Sequence, residues 1–128
     1  MDKRSDNNNE IPAIRLLRNA DGESFFEIGK VRTKLKIKSE EFWFANTIDS
    51  WQIGAHTAPR KQFVITLSGK LKFTTSDERT FIIEPGIVLL AEDIDGEGHQ
   101  WEMIEGHENW HRIYIPLVED SESYFIKD

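Results

Sequence analysis

The chain has no cysteine, which removes disulfides and thiolate metal sites from consideration at once. Long apolar runs are missing as well. The longest are of the kind Ile87-Val88-Leu89-Leu90-Ala91, far short of the roughly 20 residues that a membrane-crossing helix needs, so no membrane partner is expected. Positive charge is in deficit, with 16 Lys and Arg against 23 Asp and Glu and a formal charge of −7. A nucleic-acid surface concentrates Lys and Arg, so that balance argues against one and fits a solubilising role for the acids. The first ten residues, Met1 to Glu10, have no apolar stretch of their own and do not form a secretory signal, which makes the cytoplasm the default location.

At 128 residues the chain has the size of one domain, enough to bury one core. Residues 1–10 are polar and Asn-rich and are expected to be a disordered arm. The body is expected over 11–118. An acidic tail follows over 119–128, where Tyr124, Phe125 and Ile126 offer apolar surface for docking.

Inside the body the hydrophobic period is two. Val31, Thr33, Leu35 and Ile37 alternate with Arg32, Lys34, Lys36 and Lys38, which predicts a half-buried strand whose basic face is solvated rather than a phosphate-binding patch. Further strands are expected over 41–48, 61–68, 70–75, 79–84, 87–91, 99–105 and 110–118. Turn signals separate several of them, and Glu84-Pro85-Gly86-Ile87 suits a type II turn. No segment sustains a helical period. Short strands at regular spacing predict an all-β sandwich or closed barrel with few or no helices.

The chemistry-bearing residues cluster. Strand parity would turn His56, Arg60 and Gln62 to one side, and His99, Trp101 and Met103 share another face. Two imidazoles, an amide and a guanidinium around an apolar cavity make a small-molecule pocket, and an arginine there would clamp a carboxylate or phosphate. Each has a plainer reading too: either histidine could bond a nearby loop, and Arg60, next to Pro59, could pair with a surface acid. His107 lies in an expected loop. His111 shares parity with Ile113 and Ile115 and reads as a core histidine. The acidic run Glu92 to Gly98 is no EF-hand, since Ile104 stands where the bidentate glutamate belongs. No Gly-rich loop offers a nucleotide-cofactor site, and Ser68-Gly69 lacks the surroundings of a hydrolase nucleophile.

The stretch from Gly54 to His99, with "HTAPRKQFVITLSGKL" and "PGIVLLAEDIDGEGHQ", resembles the cupin superfamily, and within it the small single-domain cupins. In the frame set by Gly69, the two histidine positions of the first motif fall on His56 and Ala58, and its glutamate on Gln62. Pro85-Gly86 and His99 answer to the second motif. The resemblance implies an antiparallel jelly-roll β-barrel, a homodimer, and a divalent ion (Fe, Mn, Zn or Ni) at the positions of His56, Gln62 and His99. Two of the family's four ligands are replaced here, by Ala58 and Gln62. A neutral amide is a weak ligand for a divalent ion. The implied function is therefore the binding of a small organic molecule, anionic or neutral, with or without a weakly held metal. The alternative is a metal-dependent isomerase, lyase or dioxygenase acting on a small organic acid.

Overall fold

The computed structural model describes residues 10–106, 108–118 and 124–128, so the expected arm over 1–9, His107 and the acidic stretch over 119–123 lie outside the described residues. Ten strands are described: β1 Ile11–Arg18, β2 Ser24–Val31, β3 Trp43–Ala45, β4 Gln62–Ser68, β5 Leu71–Thr75, β6 Thr80–Ile83, β7 Val88–Ala91, β8 His99–Met103, β9 His111–Pro116 and β10 Phe125–Lys127. The only helical element among the described residues is a 3-10 turn over Ser50–Gln52. Among the described residues no helix is long and apolar enough to cross a membrane.

The strands form two sheets, one in the order β10-β2-β1-β7-β4-β9-β3, the other β6-β5-β8. All pairs are antiparallel except β1 with β7, which run parallel from Ala13–Val88 to Leu16–Ala91. The ladders do not close the two sheets into one barrel. β3 and β10 end the larger sheet, β6 and β8 the smaller.

The alternation of side chains explains the two apolar layers. Between the sheets lie Leu16, Phe26, Val64, Leu71, Phe73, Ile83, Leu89 and Trp110. The opposite parity of the larger sheet sends Ala13, Phe63 and Leu90 to its outer face, where Phe125 of β10 and Tyr124 just before it pack on them. Apolar residues fill every position of β7 because that strand is covered on both faces. The Glu84–Ile87 turn forms as expected, with the Ile87 N–H donating to the Glu84 carbonyl at 3.1 Å and Gly86 at φ +99°.

Several sequence expectations are corrected. The strand expected over 31–38 is absent. β2 ends at Val31, Lys34 takes φ +70°, and Leu35 and Ile37 are exposed. A period of two makes a strand only where a neighbour supplies the hydrogen bonds, and a positive φ breaks the extended backbone. The hairpin of β1 and β2, which pairs Ile11 with Val31 and Arg18 with Ser24, was not among the expected strands. Its turn is organised by Asn19, whose Oδ1 accepts from the N–H groups of Asp21 and Glu23. In the single chain the aromatic run Phe42-Trp43-Phe44 is open to solvent. It leaves Phe42 61% and Phe44 69% exposed, because β3 is three residues long and forms a sheet edge. His111 is exposed instead of buried in the core, since Arg112 and Tyr114 take the inward parity of β9.

These layers predict unequal costs for two phenylalanines. Phe125→Ala should cost about 3 kcal/mol by emptying the outer-face cluster. Phe44→Ala should stay within about 0.5 kcal/mol in the monomeric chain. Urea denaturation of the two variants at low protein concentration checks the contrast.

Candidate functional site

The site starts from a backbone crossing. The N–H of His56 donates to the carbonyl of His99 at 2.9 Å, and the N–H of His99 returns to the carbonyl of His56 at 2.8 Å. This isolated bridge lays the segment before β4 against the start of β8. Gly98 permits it: its φ is +74°, and a Cβ there would stand 2.3 Å from the His56 carbonyl oxygen. Ser24 adds a hydrogen bond from its hydroxyl to the Gly98 carbonyl at 2.5 Å. The crossing brings the two imidazoles edge to face, with centroids 4.6 Å apart.

Each ring is then oriented separately. His99 is buried against Phe73, and its Nδ1 lies 2.5 Å from Oδ2 of Asp93. Asp93 is wholly buried, and its Oδ1 has no partner among the described residues. His56 places Nδ1 2.9 Å from the carbonyl of Gly54. Burial lowers the His56 pKa from its ordinary 6.5. The Gly54 hydrogen bond opposes that shift, His99 adds to it, and Asp93 opposes it in turn.

A chamber of about 30 Å³ lies between the sheets, lined by His56, Ala58, Gln62, His99 and Trp101 together with Gln52, Phe73, Trp110 and Tyr114. That volume holds one or two water molecules, or a terminal group of a ligand, but no whole organic molecule. A larger cleft of about 200 Å³ adjoins it, lined by Trp43, Thr47, Asp49, Arg60 and Arg112. Gln52, Pro59, Gln62 and Tyr114 line both spaces.

Of the six residues expected at the pocket, four meet in the chamber: His56, Gln62, His99 and Trp101. Arg60 does not share their face. Residues 57–61 form no regular strand, so parity does not run through Pro59, and Arg60 turns outward to stack over Trp43 with its guanidinium carbon 5.2 Å from the ring centroid. It still reaches the site, donating from Nη1 to Oε1 of Gln62 at 2.9 Å. Met103 packs against the core between the sheets and does not line the chamber.

The chain was also expected to place His56, Gln62 and His99 around a divalent ion, and this donor set fits one poorly. The Gln62 oxygen already accepts from a guanidinium, whose charge opposes a cation at that point. Nδ1 of each histidine is engaged, which leaves Nε2 as the ring donor, so two neutral imidazoles and an amide would hold the ion with no negative charge among them. No group of three or more His, Asp or Glu among the described residues could hold a metal.

Four residues of the site were not singled out from the sequence: Gln52, Asp93, Arg112 and Tyr114. Arg112 is 2% exposed. It donates from Nε to the Tyr114 hydroxyl at 2.7 Å, from Nη1 to the Trp110 carbonyl at 2.8 Å and from Nη2 to the Thr47 carbonyl at 2.7 Å. Its signal was present in the run Trp110, Arg112, Tyr114, an arginine at the inward parity between two aromatic rings. Asp93 carried none beyond an acidic stretch.

Set against protein-family models, curated proteins and solved structures, the chain matches none.

The lowered pKa of His56 sets a pH dependence. The unfolded chain binds a proton below about pH 6.5 more readily than the folded one does, so this group's share of stability is complete above pH 6.5 and is lost as pH falls through the lower folded value. His56→Gln should therefore show a smaller fall in melting temperature between pH 7.5 and pH 5 than the parent, checked by paired thermal melts.

Proposed function

We propose that this protein is a cupin-type open jelly roll that binds a small organic molecule in the cleft between Arg60 and Arg112, and that it works without a resident metal. The observation that carries the reading is the position of Gln62. Its amide stands at the junction of the cleft and the inner chamber, held by Arg60 from one side and lining the space of His56 and His99 on the other. A ligand in the cleft would rest on Trp43 and Pro59 and extend one small polar group past Gln62 toward the imidazoles. Apolar walls with a few convergent polar groups are the usual composition of a small-molecule site. The order of the Gly54–His99 residues, similar to that of cupins, supports the same placement.

The alternative, a metal-dependent isomerase, lyase or dioxygenase on a small organic acid, draws on one feature. A carboxylate behind a histidine, as Asp93 stands behind His99, orients the ring for metal ligation or for proton transfer. In the metal-free reading the same pair holds His99 in one tautomer, so that its second ring nitrogen meets the ligand in a defined role.

Chelation separates the two readings. Exhaustive dialysis against EDTA should leave both the melting temperature and ligand-induced stabilisation unchanged. A ligand present at 100 times its dissociation constant should raise stability by about 2.7 kcal/mol. Loss of ligand response on chelation, restored by iron, manganese, zinc or nickel, would favour the metal enzyme.

The same proposal includes a homodimer. The short edge strand β3 with exposed Phe42 and Phe44 offers unpaired backbone and apolar rings for a second copy to cover. Light scattering at micromolar concentration should give twice the chain mass, and Phe42→Ser with Phe44→Ser should return it to the monomer value.

A further inference from the structure

We infer that the ligand of the cleft is an organic carboxylate and that Arg112, Tyr114 and Gln62 select it. The inference rests on the binding reading above and adds to it the chemistry of the ligand.

Arg112 has five N–H bonds, of which three have acceptors in the protein, on Tyr114, Trp110 and Thr47. Its cationic group is buried and has no carboxylate partner among the described residues. The rings of Trp110 and Tyr114 lie 4.3 and 5.2 Å from its guanidinium carbon. Ring faces and neutral oxygens compensate a buried charge only in part.

Tyr114 accepts twice, from Arg112 Nε at 2.7 Å and from Gln52 Nε2 at 3.4 Å, so its own hydroxyl proton points to neither. At Gln62 the bond from Arg60 fixes Oε1 as the acceptor and leaves the NH₂ as two donors with no acceptor among the described residues. Every one of these uncommitted groups is a donor, and all three residues line the same cleft of about 200 Å³. Among the described residues two guanidinium groups line it against a single carboxylate, that of exposed Asp49.

A space with surplus donors and net positive charge takes an acceptor-rich anion. A carboxylate fits best, because the fork of Arg112 keeps one N–H on Nη1 and one on Nη2 for its two oxygens while Trp43, Ala45 and Pro59 supply apolar walls for a carbon skeleton. An inorganic oxyanion would leave those walls unused. Arg112 also ties Thr47 to Trp110, which is a structural duty. That duty alone would not gather the unused donors of Tyr114 and Gln62 beside it.

The test is calorimetric titration of the full chain with succinate and benzoate, their amides succinamide and benzamide, and inorganic phosphate. At least one carboxylate should bind tenfold or more tightly than its amide and than phosphate. Gln62→Glu places an acid where the donors stand, and its carboxylate pairs with Arg60 to keep the fold. It should weaken carboxylate binding at least tenfold, about 1.4 kcal/mol. Arg112→Lys should do the same through loss of the fork. Amides or phosphate binding as well as the acids would overturn the carboxylate inference and leave a binding cleft standing. No binding by any of the five would overturn both. Carboxylate affinity unchanged in Gln62→Glu would overturn the assignment of the selecting groups, even if Arg112→Lys failed to fold.

Discussion

Two backbone hydrogen bonds between His56 and His99 tie the irregular segment before β4 to the first residue of β8, and the site is built around that crossing. Without it the loop carrying His56, Ala58 and Pro59 has no reason to lie across the mouth of the space between the sheets. The crossing depends on Gly98, where a side chain would strike the His56 carbonyl. It depends also on the neighbouring loop, which is pinned where the Glu92 N–H donates to Leu16 and the Ala58 N–H donates to the Asp93 carbonyl. A short backbone contact thus fixes two imidazoles and the buried acid behind one of them.

The polar groups sorted by this arrangement are of opposite kinds at its two ends. At the His99 end the buried group is an acceptor, Asp93, with one oxygen satisfied by the imidazole and one with no partner among the described residues. At the Arg112 end the uncommitted groups are donors. Gln62 lies between them, its oxygen occupied by Arg60 and its side chain lining both spaces. A buried polar group without a partner costs about 1–3 kcal/mol, more when charged, so such a distribution is retained where a ligand or water completes it. This is also why the donor set suits an anion better than a metal ion. The expected ligands are neutral, and the amide oxygen faces a cation.

Much of the sheet structure was legible from alternation alone. β4 to β9 fall within the expected segments, and the inward sharing of a face by His99, Trp101 and Met103 follows from their spacing in β8. Alternation failed where pairing decides. The well-patterned stretch from Val31 to Lys38 forms no strand beyond Val31, whereas Ile11 to Val31, with apolar residues on both parities, forms the hairpin between β10 and β7 in the larger sheet. Parity also failed at Arg60, since it holds only along a regular strand and Pro59 interrupts one. His111 shows a subtler limit. Its parity with Ile113 and Ile115 is real, but that parity faces the outside of the larger sheet.

By itself the sequence determined the all-β class, through short apolar segments, turn residues and the absence of any helical period. It also determined the kinds of groups available to the site, histidine, amide and arginine with no thiolate and few acids close by. Those are local properties, set by the side chains along a few residues of chain. Which of the groups meet was decided only by the tertiary structure. Asp93 reaches His99 across a loop, Arg60 reaches Gln62 around a proline, and Arg112 is enclosed by Thr47, Trp110 and Tyr114. Hydrogen bonds and buried charge act over about 3 Å in space, and sequence distance says little about which atoms come that close.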